Sequence, residues 1–309
     1  MRAKSIILII AVILILGGLI MSFAALASTG FDWRRISQDG DTEQKRFDTE
    51  ASGIREIIVR ERNREIILEP SVDGKIHIIY FESEKETYRI RTDDGKLTIE
   101  VEDRRRWFDF IGIHIETQST TIQIPAEFSG DVDLDTKNGD VDVSDLAVKG
   151  KVKLSTSNGG ILAEGLTVGG DFDADTSNGR ISADNVTVGG GFDASTKNGQ
   201  IELAGVIIEG EAYAKSSNSS ITVKDVAARV LTLDTSNGSI RLSGVDVAEK
   251  LDCHSSNGSI RGTVKGRDSD FRITSKTSNG RNNLPASYGS GPKEMLIKSS
   301  NGSIDIQFE

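Results

Sequence analysis

The sequence is poor in the residues that build disulfide-rich, aromatic-cored or basic proteins. It has one cysteine, four prolines and 6% aromatic residues in 309 positions. The single Cys253 excludes an internal disulfide framework. Positive charge is also scarce, because 37 Lys and Arg stand against 47 Asp and Glu, a formal net charge of −10. This balance argues against a nucleic-acid-binding protein, which would carry a basic face or stripe.

The N-terminal residues differ in composition from everything that follows them. Arg2 and Lys4 precede an uncharged, mostly apolar run from Ile6 to Ala27. As a helix at ~1.5 Å per residue the run is roughly 33 Å long, enough to cross a bilayer. Because positive charge precedes it, we expect a cytoplasmic N-terminus and an exported remainder. The sequence therefore predicts a transmembrane signal-anchor segment at 1–27 and a polar linker at 28–46.

A second interpretation of the same segment stays open. Ala25-Leu26-Ala27 also fits a signal-peptidase site, so the alternative to a single-pass membrane protein is secretion after signal cleavage. Both readings place the rest of the chain outside the cytoplasm.

A Ser- or Thr-rich approach to Asn, which Gly usually follows, recurs along two-thirds of the chain. The spacings between the asparagines are 20, 20, 20, 20, 19, 20, 22 and 22 residues. A fixed period near 20 indicates stacked structural units. No segment of the repeat has the 3.6-residue apolar period of a helix, and Val, Ile and Thr favour strands. The repeated asparagines are Asn138, Asn158, Asn178, Asn198, Asn218, Asn237, Asn257, Asn279 and Asn301.

Apolar residues occupy fixed positions around each asparagine. The residues six and four places before it are mostly apolar, and the residue two places before it is always Ser or Thr. Since strand side chains alternate between faces, these positions point the same way, and the first two belong to the core. Apolar residues return three, five, eight and ten places after the asparagine. The alternation breaks twice per unit, which predicts three short strands that meet at corners.

Two architectures can use such a repeat. Asn-Gly is a strong hairpin signal, so an antiparallel meander is one alternative. A β-solenoid explains better why consecutive units carry the same residue at the same position, since coils stack about 4.8 Å apart. Asn tolerates a left-handed backbone, and its amide can bond to the asparagine of the next coil. We therefore predict that the motif is a corner and that its nine asparagines form a structural ladder.

The predicted fold is an all-β solenoid of about 20-residue coils with three short strands each, over residues 128–309. Residues 47–127 lack Asn-Gly but remain rich in strand-forming residues. Because the end coils of a solenoid are normally atypical, this N-terminal β region is predicted to begin or cap the solenoid.

The chain resembles the bacterial putative adhesin family, whose LiaG-like members are β-strand-repeat membrane proteins of unknown function. The resemblance covers roughly residues 45–309. It is carried by an N-terminal span, an extended β region that ends in TIQIP at 121–125, and serial TSNG-type units. It implies an extracytoplasmic β-solenoid without an established activity. The unit around Asn279 departs from the pattern, and we expect its RNNLPASYGSGPKEM stretch to form a loop.

No catalytic, cofactor-binding or metal-binding residue is predicted. Cys253 and His254 face opposite sides of a strand, so they cannot pair as nucleophile and base. The outward carboxylates, such as Asp171 and Asp173, share a solvated face, whereas a glycosidase needs one carboxyl with a raised pKa. Weak binding of Ca²⁺ by these acidic columns stays an open alternative.

One exposed basic-aromatic cluster stands out in this acidic protein. It is a candidate interaction loop that contacts anionic lipid headgroups or a partner protein, and the alternative is an end-cap that folds over the first coil. Its residues are Arg104, Arg105, Arg106, Trp107, Phe108 and Phe110.

These observations favour a non-catalytic, membrane-anchored extracytoplasmic protein. We expect an adhesin, surface-binding or scaffold module for an unknown protein or envelope polymer, without a cofactor and without a nucleic-acid partner. One alternative is an envelope-stress accessory protein that acts on neighbouring membrane proteins. Another is a polysaccharide-active β-helix enzyme.

Overall fold

The computed structural model describes residues 17–18, 42–104 and 118–309, and residues 42–104 and 118–309 are almost entirely strands and turns. The predicted all-β solenoid is confirmed, with about nine turns. Among the described residues, none lies in a helix that is both long and apolar enough to cross a bilayer. Apart from Gly17 and Gly18, the predicted segment 1–27 lies outside the described residues.

The N-terminal region contributes the first strands. They are β1 (Glu43–Thr49), β2 (Glu56–Arg60), β3 (Ile66–Pro70), β4 (Ile76–Glu82), β5 (Glu86–Asp93), β6 (Lys96–Asp103) and β7 (Thr120–Ile124). Strand β1 begins inside the segment predicted as linker. Its first residues pair with β4, and Lys45 Nζ lies 2.6 Å from a carboxylate oxygen of Glu82.

The next strands form the most regular coils. They are β8 (Glu127–Phe128), β9 (Asp131–Thr136), β10 (Val141–Ser144), β11 (Ala147–Val148), β12 (Val152–Thr156), β13 (Ile161–Glu164), β14 (Thr167–Val168), β15 (Phe172–Thr176), β16 (Ile181–Asp184), β17 (Thr187–Val188), β18 (Phe192–Thr196) and β19 (Ile201–Ala204). Each coil has three strands, as the two breaks in alternation predict.

In the C-terminal part, some strands run continuously around a corner. The strands are β20 (Ile207–Ser216), β21 (Ile221–Lys224), β22 (Ala227–Thr235), β23 (Ile240–Ser255), β24 (Ile260–Val264), β25 (Phe271–Thr277), β26 (Ser287–Tyr288), β27 (Lys293–Ser299) and β28 (Ile304–Phe308). A short 3-10 helix, Asp268–Asp270, precedes β25.

Parallel stacking builds three faces around one apolar interior. The strand before each asparagine forms the first face, the strand after it the second, and the two-residue strands the third. Equivalent residues pair in register from coil to coil, as Phe172 does with Phe192, whose rings stack at 5.1 Å. The predicted inward apolar columns are buried along the whole repeat. The core is therefore a continuous column rather than a globule.

The order of the coils in space departs from chain order at both ends. At the N-terminal end β2 and β3 stack directly on β9 and β10, and β6 and β7 form the next coil outward. At the C-terminal end β27 and β28 stack on β23 and β24, and β25 lies outside β27. At each end, therefore, the coil nearest the chain terminus lies between the regular stack and the coil that is adjacent to the stack in sequence.

Antiparallel strands end the stack at the N-terminal side. Strand β5 covers β6, strand β4 covers β7, and β1 covers β4. Because an exposed parallel edge would offer unpaired backbone groups to other chains, this change of direction closes the end of the solenoid.

Candidate functional site

The nine repeated asparagines lie in one exposed column along a corner of the solenoid. The side-chain Nδ2 of Asn178 donates to Oδ1 of Asn158 at 2.7 Å, and Asn198 donates to Asn178 at 2.7 Å. The other asparagines of the column repeat this bond at 2.7–2.9 Å. All these amides point in the same direction, so the ladder has a donor end and an acceptor end.

Asn63 extends the ladder by one residue that the sequence analysis missed. Asn138 Nδ2 donates to Oδ1 of Asn63 at 2.6 Å. Asn63 escaped notice because Arg64, not Gly, follows it. A signal was present, since Ile57, Val59, Ile66 and Leu68 stand at the same offsets as the core residues of the other units and are all buried.

The Ser/Thr column and the corner glycines hold neighbouring coils together. Thr176 Oγ1 donates to the carbonyl of Gly159 at 3.0 Å and accepts from the N–H of Gly179 at 3.2 Å. A Cβ on Gly179 would lie 1.7 Å from the Gly159 oxygen, although Gly179 does not have a positive φ. The close approach of two coils therefore favours glycine here, although Ser219 stands at the same position in one coil.

The left-handed conformation expected at the asparagines occurs at a different corner. The residue seven places after the asparagine has a φ between 51° and 64° in six consecutive coils. That expectation was wrong because the Asn-Gly corner is set by stacking contacts, whereas the second break in alternation needs the left-handed residue. Only Asp, Asn and Gly fill this position, which is the composition such a φ favours. The residues are Asp145, Gly165, Asn185, Gly205, Asp225 and Gly244.

The N-terminal end of the ladder contains a buried polar cluster. Glu61 takes the place that Ser or Thr holds in the other coils, Arg64 takes the place that Gly holds in most of them, and both are buried. An Arg64 Nη2 donates to Glu86 at 2.8 Å, and Arg64 Nη1 donates to the Tyr88 hydroxyl at 3.1 Å. Glu61 accepts from Tyr88 and from Thr120 Oγ1, the latter at 2.6 Å. The cluster ties the first coil to the antiparallel cap.

The groups in this cluster titrate differently from exposed ones. Burial raises the pKa of the Glu61 carboxyl, although hydrogen bonds from Thr120 and Tyr88 oppose the shift. Burial, followed by the charge of Glu61, also raises the pKa of Tyr88. Of the described residues, the Arg64 Nε atom is buried without a hydrogen-bond partner. Because these groups bond to one another across β-strands, the cluster fits a structural role at the cap.

The candidate interaction loop begins at this same end. Arg104 is exposed, its N–H donates to the Lys85 carbonyl at 2.8 Å, and its guanidinium lies 3.6 Å from Glu102. Arg105, Arg106, Trp107, Phe108 and Phe110 lie outside the described residues. The described chain stops at Arg104 and resumes at Gln118, whose Nε2 donates to Thr42 Oγ1 at 2.9 Å.

The acidic outer face is less uniform than expected. An ion pair at 2.8 Å with Lys151 lowers the pKa of Asp171, which also accepts from the Gly191 N–H at 3.0 Å. Partial burial, together with the charges of Asp173 and Asp175, raises the pKa of Asp193. The expectation of one shared environment was therefore wrong. Within residues 42–104 and 118–309, no three His, Cys, Asp or Glu side chains come together as metal ligands.

Comparison with known proteins gives structural likeness at low sequence identity. A putative adhesin from Parabacteroides distasonis ATCC 8503 is 13% identical with a TM-score of 0.45, over 87% of this chain and 99% of that one. A putative lipid binding protein from the same strain is 14% identical with a TM-score of 0.43, over 88% and 99%. A putative adhesin from Bacteroides fragilis NCTC 9343 is 12% identical with a TM-score of 0.33, over 86% and 97%. At these values the likenesses carry no functional argument.

No curated protein matches the chain. The family model Toastrack DUF4097 matches residues 54–307, which include the first coil, strands β4 and β5 of the antiparallel cap and nearly all of the repeat. The protein belongs to the Toastrack DUF4097 family.

Proposed function

We propose that this protein is a membrane-anchored, extracytoplasmic and non-catalytic binding module whose solenoid stands on its N-terminal end. The observation that carries the proposal is the contact between Thr42 and Gln118 at 2.9 Å. Thr42 is where the chain enters the fold after the apolar run and the polar segment, and Gln118 is where it returns from the basic-aromatic loop. Both segments are thus attached at one corner of one end.

The composition of these two segments suits a bilayer surface. The apolar run from Ile6 to Ala27 is long enough to span a bilayer. In the interaction loop, three arginines at 104–106 precede Trp107 and Phe108. Arginine attracts anionic headgroups, and aromatic side chains favour the headgroup region. We therefore assign the interaction loop to lipid contact beside the anchor.

The solenoid offers a rigid wall for binding. At about 4.8 Å per coil its stacked turns extend roughly 40 Å from the anchored end. The repeated polar side chains are engaged in bonds between coils, as those of Thr176 and Asn178 are. The Asp171 carboxylate pairs with Lys151 and accepts a hydrogen bond from the Gly191 N–H. This engagement of the polar groups supports a binding or scaffold role over catalysis.

Tryptophan fluorescence in reconstituted full-length protein tests the membrane contact. The sequence has two tryptophans, so Trp33→Phe leaves Trp107 as the reporter. In vesicles containing phosphatidylglycerol brominated near the headgroup, we expect Trp107 emission to be quenched. Charge reversal of Arg104, Arg105 and Arg106 to Glu should relieve the quenching.

The matched control is Trp107→Phe, which leaves Trp33 on the polar segment. Absence of quenching at Trp107 in phosphatidylglycerol vesicles would contradict the membrane contact. Quenching that the arginine reversal leaves unchanged would assign the contact to the anchor alone.

A further inference from the structure

The two ends of the solenoid are closed in different ways. At the N-terminal end three antiparallel strands cover the outer coil. At the C-terminal end the third face stops near Gly266, whose N–H donates to the carbonyl of Glu309 at 2.9 Å. Strand β25 and the loop at 281–288 extend past that point. Within the described residues, this mismatch leaves a cavity of about 680 Å³ at the end of the core.

The floor of this cavity is apolar, whereas polar and apolar atoms contribute about equally to the lining as a whole. Its floor is the end of the continuous core, formed by Ile273, Ile306 and Phe308. Leu284 lines one wall, and Tyr288, which is 46% exposed, stands among the lining residues. Volumes of roughly 300–1,000 Å³ are typical of pockets for small ligands.

The walls are fixed by hydrogen bonds, so the cavity is preformed. The side-chain amide of Asn283 takes the place of a paired strand, because it donates to the Ile306 carbonyl at 2.8 Å and accepts from the Ile306 N–H at 3.0 Å. Ser275 Oγ donates to the Pro285 carbonyl at 2.8 Å and accepts from Asn282 Nδ2 at 2.8 Å. These bonds hold the loop away from the floor. A ligand therefore meets an open site, without a cost for ordering it.

Charges of both signs line the cavity. Arg267 brings a guanidinium, and Asp268 and Glu309 bring carboxylates. An apolar floor with a charged rim of both signs matches a molecule that has one alkyl chain and a zwitterionic head. We propose that this C-terminal cavity binds single-chain zwitterionic amphiphiles. The chain lies over Ile306 and Phe308, the anionic part of the head faces Arg267, and the cationic part faces Asp268 and Glu309.

Photolabelling of the full-length protein in lipid nanodiscs tests the site. The probe is dodecylphosphocholine that carries a diazirine near the end of its chain, and mass spectrometry maps the labelled peptides. We expect labelling within 281–288 and 304–309. Pro285→Trp adds bulk at an exposed lining residue and should lower this labelling about tenfold, as when roughly two methylene groups lose burial.

The adjacent Ala286→Trp is the matched control, because Ala286 is also exposed but does not line the cavity. It should label like the unmodified protein. Equal loss in both variants, or labelling confined to other regions, would overturn the site. Unlabelled dodecylphosphocholine should compete better than dodecyl sulfate or dodecyltrimethylammonium. Equal competition by all three would overturn the assignment of the head.

Discussion

The side-chain amide of Asn301 donates to Oδ1 of Asn257 at 2.8 Å across 44 residues of sequence, and Asn279 in turn donates to Asn301 at 2.8 Å. The last two coils are therefore exchanged relative to the chain. The final residues pair with β24 of the preceding coil, and the Glu309 N–H donates to the Val264 carbonyl at 3.0 Å. The loop between the exchanged coils is left outside, where it forms the wall of the C-terminal cavity.

A double-mutant cycle tests this exchange directly. Asn257→Ala and Asn301→Ala remove two partners of one hydrogen bond, so their effects on unfolding free energy should be coupled by about 0.5–1 kcal/mol. Asn257→Ala and Asn279→Ala should add without coupling, because Asn301 separates them. The measurement is urea unfolding of the single and double variants. If Asn257 were instead coupled to Asn279, the coils would stack in chain order, and the exchange would be wrong.

Substitution of a corner glycine tests the close approach of the coils. Gly179→Ala would place a Cβ 1.7 Å from the Gly159 oxygen, so we expect a loss of about 1–3 kcal/mol as the two coils shift apart. Gly191→Ala is the control, since the nearest atom to its Cβ lies at 3.7 Å. It should be neutral or stabilise by up to about 1 kcal/mol. Similar urea midpoints for both variants would show that the Asn-Gly corner tolerates a side chain.

Adjacent residues on one strand test the division into inside and outside. Phe172 is fully buried and stacks on Phe192, so Phe172→Ala should cost about 3–5 kcal/mol. Asp173 points outward, and Asp173→Ala should change stability by no more than about 0.5 kcal/mol. Chemical denaturation of the two variants checks the pair. Equal losses would be incompatible with the assigned faces.

A buried histidine makes the N-terminal cap dependent on pH. His77 lies between the carboxylates of Asp48 on β1 and Asp73, at 2.6 and 2.8 Å, and both raise its pKa. Arg46 also contacts its ring at 2.9 Å and opposes the shift, and Gln123 of β7 is its uncharged pairing partner.

Because the folded pKa exceeds the unfolded value of about 6.5, this stabilisation is full below that value and is lost as pH rises through the folded pKa. Amide exchange in β1 should therefore accelerate as pH rises, beyond its intrinsic pH dependence. His77→Gln should abolish that additional acceleration. An unchanged profile in the variant would remove His77 from the cap's pH response.

The regular coils could be predicted from sequence because each column repeats one physical requirement. Val132, Val152, Phe172 and Phe192 meet the same interior, and the stacking follows from their equal spacing. The role of the glycine in the Asn-Gly motif was harder to predict. Both a left-handed corner and a close approach select glycine, and only the distance between coils separates the two causes.

The ends could not be predicted in the same way. Arg64 fills a position that is Gly in most coils, and Glu86 and the Tyr88 hydroxyl hold its guanidinium through contacts that the repeat pattern does not encode. The corners of Asn279 and Asn301 are interchangeable in sequence, so their order depends on how the intervening loop closes the stack. The interaction loop and the anchor stay predictions, since the residues that define them lie outside the described structure.

Cysteine labelling in intact cells tests the central claim that the solenoid lies on the extracytoplasmic side of the membrane. Cys253 is fully buried, and burial raises its pKa, so the native thiol serves as an unreactive background. Ser278→Cys adds an exposed thiol next to Asn279, at the C-terminal end of the ladder. The account predicts that a membrane-impermeant maleimide labels Ser278→Cys on intact cells and that the labelled protein stays in the membrane fraction. Labelling that appears only after the cells are permeabilised would contradict it.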